Sequence, residues 1–226
     1  MPSPIGHLLA GLAVGWLTEP ATPRSTSTAA SADPVARVSV LRRWPDVLTP
    51  FVLWCALVAA IPDADLLLAV TRHRVATHSL TATALVFIVA ALVTGKVTRR
   101  LAFWLAAALA AAHGTHLLLD WMGMDPAPPS GLQLLWPFDR SYYVSGWDVF
   151  PPTDRRLQVP GAIGVNVHAA IIEILLVGPL AAAALAVRRR RRSRDPISVP
   201  GVPPPPSGGA ADSAGTSDRP VLRAGQ

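Results

Sequence analysis

Four long apolar blocks constrain this chain more than any other feature: about 44–61, 79–95, 100–119 and 166–187. Each is near the ~20 residues that a helix needs to cross hydrocarbon. A fifth block, 4–17, is shorter and gives about 21 Å of helix. In lipid every backbone polar group must be satisfied within the segment, so such runs predict helices. The expected fold class is all-α: an integral membrane helical bundle with about five membrane segments and a disordered C-terminal tail. Residues 1–6 carry no Lys or Arg, so 4–17 is read as a retained segment and not a secretory signal.

The expected organisation is a membrane-embedded domain over 1–190, with a flexible linker at 18–43 inside it. A basic, Pro-rich tail follows over 191–226; its Pro, Gly, Ser and Ala cannot bury enough surface to fold. The single cysteine, Cys55, lies inside an apolar block. It excludes a disulfide within the chain and any cysteine-based zinc site.

The net charge is +6, and the run Arg188–Arg192 with Arg194 follows the last apolar block directly. At the end of a span such a run is a topology signal that stays in the cytoplasm. That reading is favoured over nucleic-acid binding, and no nucleic-acid partner is expected; the bilayer is. Lys96, Arg99, Arg100, Arg42 and Arg43 also fall where a cytoplasmic side would put them. One path satisfies them: 44–61 outward, 79–95 inward, 100–119 outward and 166–187 inward. Loops 62–78 and 120–165 then face out, although Arg72, Arg74, Arg140, Arg155 and Arg156 in those loops count against it.

On this path the ionisable residues gather at the outer ends of the spans. They sit in short words: IGHLLAG (5–11), IPDADLL (61–67), RHRVATHSL (72–80) and HGTHLLLDW (113–121). Ionisable groups at membrane depth are costly and mark functional sites. Imidazole and carboxylate together bind zinc and similar divalent metals. His113, His116 and Asp120 stand at i, i+3 and i+7, within an arc of about 60° on one helix face. His113 lies a turn deeper and would orient a ligand. Asp63 and Asp65 follow Pro62, which is expected to stop its helix. His73 and His78 are five apart and need a bend before Ser79, with Thr77 as a candidate cap. His7 shares a face with Gly11 and Gly15, whose small size permits close packing, so it points into the bundle. Arg74 is a candidate for meeting a phosphate or carboxylate, or is an ordinary interfacial arginine. Glu173 sits about 7.5 Å into the last span and needs a partner: it is a ligand, a general base or a neutral hydrogen-bonded acid. His168 is a weaker candidate, at the interface. LLWPFDR (134–140), with Asp139 among aromatic residues, reads as a short interfacial lid.

In these words the chain resembles the membrane-bound metal-dependent hydrolases, also described as LexA-binding, inner-membrane-associated hydrolases. The shared pattern is an early histidine near glycine, PD-x-D, HR-x-x-THS, H-x-x-x-D and a later WPF. It matches His7, Asp63 and Asp65, His73 through Ser79, His116 and Asp120, and Trp136 through Phe138, over roughly 4–140. Val75 departs from it, where glycine is common, as does the long linker. The resemblance implies hydrolysis. A further likeness to helical, His- and Asp-rich zinc phosphoesterases points to phosphoester chemistry, an analogy of type and not of shown descent.

The expected function is therefore metal-dependent hydrolysis at the outer face of the cell (inner or plasma) membrane, on a phosphoester in a lipid or lipid-linked substrate. The expected metal ligands are His7, Asp63, Asp65, His73, His78, His116 and Asp120, holding one or two divalent ions, zinc first. The expected catalytic residues are Asp65, Arg74 and Glu173. A transporter with a His/Asp relay is one rival, and predicts polar residues continuing across the bundle. A non-enzymatic regulatory or binding protein is the other, and leaves the histidines unexplained.

The topology is testable with single cysteines at Ser141 and Ser193 in a Cys55→Ser background. An impermeant thiol reagent added to intact cells should label position 141 and not 193. Labelling at 193 alone would reverse the arrangement.

Overall fold

The computed structural model describes residues 2–20, 47–67, 73–95 and 98–194. The linker beyond residue 20, the tail beyond 194, and the topology residues Arg42, Arg43, Arg72 and Lys96 lie outside the described residues.

The described chain is all-helical, with isolated bridges and no strand. Among the described residues five α-helices are delimited: α1 (Pro4–Thr18), α2 (Pro50–Ala60), α3 (Leu80–Val93), α4 (Arg99–Met122) and α5 (Ala162–Arg194). A 3-10 helix, Ile61–Leu67, continues α2. Four of these five starts follow from a local signal. Ser3, Thr49, Ser79 and Thr98 are the N-caps, their hydroxyls accepting from Ile5, Val52, Ala82 and Leu101 amides. Proline opens α1 and α2, where its missing N–H costs nothing.

Among the described residues, α4 and an Ala162–Ser193 stretch of α5 are long and apolar enough to cross a membrane; α1 and α3 are shorter apolar helices. The expectation of about five membrane segments is thus met in helix number and not in spanning length. The α-helix ends just before Pro62 as expected, although a 3-10 helix carries the chain on. One boundary differs from the sequence reading: α5 runs four residues into the expected tail. There Arg188 and Arg192 pair with Glu19, and Arg191 donates to the Leu17 carbonyl at 2.9 Å, which fixes the start of the arginine run.

Burial is sorted by size. The buried apolar residues are mostly small, with Ala10, Cys55, Ala56, Ala59, Ala102, Ala106, Ala112 and Ala181 among them. Large ones face out: Leu92 is 76% exposed, Leu175 and Leu180 67%, Phe103 58%. A water-soluble bundle does the reverse; small residues inside and large apolar ones outside suit helices packed in lipid.

Helix α1 packs against α2, α4 and α5. Its glycines set the approach. A Cβ at Gly11 would lie 2.6 Å from the Cys55 carbonyl oxygen, and one at Gly15 2.9 Å from Val52 Cα. The chain can come this close only without a side chain at those positions, and this contact carries His7 into the bundle.

Candidate metal centre

Four segments converge on one point. Helix α1 brings His7, the 3-10 helix brings Asp63 and Asp65, the turn before α3 brings His73 and His78, and α4 brings His116 and Asp120. His7, His78 and His116 are fully buried, and Asp65 and Asp120 nearly so.

The tautomers follow from the partners. His116 Nδ1–H donates to the Ala59 carbonyl at 2.8 Å, leaving Nε2 bare and 3.2 Å from Asp120 Oδ2. The Thr77 hydroxyl donates to Asp65 Oδ2 at 2.7 Å, so it accepts from His78 Nδ1–H at 2.9 Å. His78 Nε2 is then bare, 3.6 Å from Asp120 Oδ2 and 3.7 Å from Asp63 Oδ1. His7 Nε2 lies 3.5 Å from Asp120 Oδ1 and 3.9 Å from Asp63 Oδ2, its ring stacked on His116 at 3.8 Å.

Among the described residues, the Nε2 atoms of these three histidines and both oxygens of Asp120 are buried without a hydrogen-bond partner. The bare His78 and His116 nitrogens meet the Asp120 oxygens acceptor to acceptor, and His7 Nδ1 is unpartnered as well; such an arrangement is costly unless a cation sits among them. Ligands at 2.0–2.2 Å from a tetrahedral ion lie roughly 3.3–3.6 Å from one another. The separations around Asp120, 3.2–3.6 Å, match that spacing. Three sets of ligand atoms lie close enough to hold an ion: His7, Asp63 and His116; Asp63, His73 and His78; and His78, His116 and Asp120. The donor set, nitrogen and oxygen only, fits zinc.

The electrostatics agree. Burial works to lower the His78 pKa, yet hydrogen bonding to Asp63 and Asp65 and the charge of Asp120 raise it to about 9. The carboxylates demand positive charge at this point, and with no cation there they draw a second proton onto His78 Nε2.

Not every sequence candidate joins the cluster directly. Asp65 stands behind it, accepting from Thr77 and from His73 Nδ1 at 2.6 Å, and so aims two rings. Thr77 is not the helix cap, which is Ser79; its hydroxyl links His78 to Asp65. His113 also lies outside, with Nδ1 bound to the Thr83 hydroxyl at 2.8 Å and a contact to the Thr77 backbone that ties α4 to the ligand-bearing turn. Arg74, at a left-handed φ of 70°, is ion-paired to Asp125, and its carbonyl accepts from the Gln133 amide at 3.0 Å. Its charge is already met.

Glu173 is not brought to the cluster. Its carboxylate accepts from Ser3 N at 2.6 Å, Ser3 Oγ at 2.5 Å and Gly6 N at 2.9 Å. An acid on the positive end of α1 is favourable, and it anchors the residue next to His7. A Cβ on Gly6 would strike it at 2.8 Å. The partner that an intramembrane acid needs is thus the start of α1, which sequence spacing of 167 residues or more does not reveal. The 134–140 lid is pinned to the start of α3, where Leu80 N donates to the Leu134 carbonyl at 2.9 Å. Asp139 is taken up by Ser141 and Tyr143.

The sequence reading missed two residues. Asp125, in MGMDPAPP, is the counter-ion of Arg74 and accepts from Gly131 N at 2.7 Å. Arg155 reaches over the centre to His73 Nε2. Burial and the neighbouring Arg74 hold its pKa below the ordinary arginine value. In sequence it registered only as an arginine on the unexpected side.

A family model described as YdjM inner membrane protein matches residues 1–194. No curated protein and no protein of solved structure matches the chain.

Purified protein should carry at least one divalent ion per chain. His116→Ala and Asp120→Ala should each lower metal content about tenfold or more while the protein still inserts. Unchanged content in both, by elemental analysis, would turn the cluster into a packed polar seam.

Proposed function

The chain belongs to the YdjM inner membrane protein family, and from that premise we propose that it is a membrane-bound metal-dependent hydrolase acting on a phosphoester in a lipid or lipid-linked substrate. One observation carries the reading: buried imidazole nitrogens of His7, His78 and His116 and the Asp120 carboxylate have no hydrogen-bond partner and fall into overlapping sets at ligand spacing. The sequence resemblance and the nitrogen–oxygen donor set support it.

In this reading His78, His116 and Asp120 hold an ion, His7, Asp63 and His116 frame a second position beside it, and Asp63 also reaches toward His73 and His78. A bound divalent metal supplies Lewis acidity and lowers the pKa of water toward ~7. The chain's own groups do the rest. Asp65 and Thr77 fix the His73 and His78 rings. Asp63, whose side chain is 20% exposed where the other cluster carboxylates are about 1%, faces the open side and holds the proton that the attacking water gives up. In the net reaction the water oxygen bonds to phosphorus, the P–O bond to the alcohol breaks, and the alcohol oxygen gains a proton.

The membrane arrangement is part of the proposal: α1 and α3 cross or enter the bilayer beside α4 and α5, the centre faces outward, and the tail is cytoplasmic. The large exposed apolar residues support it. The transporter reading is less well supported. From Leu8 to Thr18, α1 is apolar but for its last residue, and its neighbours there are small and apolar. Among the described residues the next buried charges come only at Glu19 and Arg188, so no relay continues from the cluster.

A nitrophenyl phosphodiester should be cleaved slowly by the purified protein. Chelation should abolish the activity and added metal restore it. Asp65→Asn should cut the rate about 10–100-fold, the usual effect of losing a carboxylate that orients a ligand. Cleavage that survives chelation would refute the mechanism.

A further inference from the structure

Arg155 is held over the centre by the chain around it. Asn166, in the first turns of α5, brackets the backbone of Asp154: its Oδ1 accepts from the Asp154 amide and its Nδ2 donates to the Asp154 carbonyl, both at 2.8 Å. The Asp154 carboxylate then draws Arg156 away, through its amide at 2.9 Å, Nε at 3.1 Å and Nη2 at 3.1 Å. The Arg156 side chain is 71% exposed. Of two adjacent arginines, one is turned to solvent and the other is left facing Asp63, Asp65 and Asp120.

The contact Arg155 makes there is poor for an arginine. It gives one of five N–H donors to a neutral ring nitrogen, since His73 Nδ1 carries its proton toward Asp65. No carboxylate pairs with it among the described residues, and Arg74 beside it is already neutralised by Asp125. A half-exposed guanidinium with open donors, at the accessible edge of a buried centre, suits a planar oxyanion ligand.

We propose that Arg155 is the anion-recognising residue of this site, taking two non-bridging oxygens of a phosphate group in its fork and leaving His73 Nε2 as it does so. This rests on the reading of the cluster as a metal centre and deepens it: the substrate is a phosphoester with two unesterified oxygens, and not a neutral carboxylic ester or amide. Asn166 and Asp154 are positioning residues that act through Arg155.

The test is calorimetric titration of inorganic phosphate into detergent-purified, metal-loaded protein, with metal content measured on each variant. Wild type should bind phosphate. Arg155→Ala should weaken binding by about tenfold or more with metal content unchanged, and Arg155→Lys should recover part of the loss. Arg156→Ala removes the same charge one residue away and should change nothing. Wild-type affinity in Arg155→Ala, an equal loss in Arg156→Ala, loss of metal in Arg155→Ala, or no phosphate binding by wild type would each overturn the proposal. Arg155-dependent phosphate binding by a protein that cleaves no phosphoester would keep the anion site and sink the hydrolase reading. Hydrolysis with no dependence of phosphate affinity on Arg155 would do the opposite.

Discussion

The structure turns on a conflict of lone pairs. Asp120 lies nearly sealed at the end of α4 with neither oxygen hydrogen-bonded, and the unpartnered Nε2 atoms of His7, His78 and His116 face it. A cation among these groups relieves the conflict, and the sets that can hold one are His78, His116 and Asp120, and His7, Asp63 and His116. The rest of the described fold serves that meeting. Gly11 and Gly15 let α1 approach α2 closely. Glu173 fixes the start of α1 one turn from His7. Ala59 sets the His116 tautomer, and Thr77 with Asp65 sets that of His78.

Much of this was legible in sequence, for a physical reason. Ligands on one helix face must recur at helical spacing, so His116 and Asp120 could be paired by counting. Ionisable residues are rare in apolar segments, so His7, Asp63 and His78 stood out. Helix positions were legible too, from apolar runs; the caps Ser3 and Thr98 were not, and Ser79 supplies the cap expected of Thr77. Spanning length was not, because the helix over Pro50–Ala60 gives way to a 3-10 helix at Ile61, next to Pro62.

What the sequence hid depends on long-range pairing. Glu173 looked catalytic because a lone buried acid needs a partner; the partner is a helix start some 170 residues away. Arg74 looked free because Asp125 is 51 residues off. Arg155 carried no signal, since its placement comes from a side-chain amide reading a backbone twelve residues before it. Asp65 and Asp63 are two apart and chemically alike, and only their neighbours separate a carboxylate that orients histidines from one that faces the open side.

The central claim is that the imidazoles of His78 and His116 share one ion with Asp120. X-ray absorption at the zinc edge of zinc-loaded protein tests it most directly. The account predicts a first shell of nitrogen and oxygen at about 2.0–2.1 Å, with outer-shell imidazole scattering that diminishes in His78→Ala. A shell without imidazole scattering, or one unchanged by His78→Ala, would contradict it.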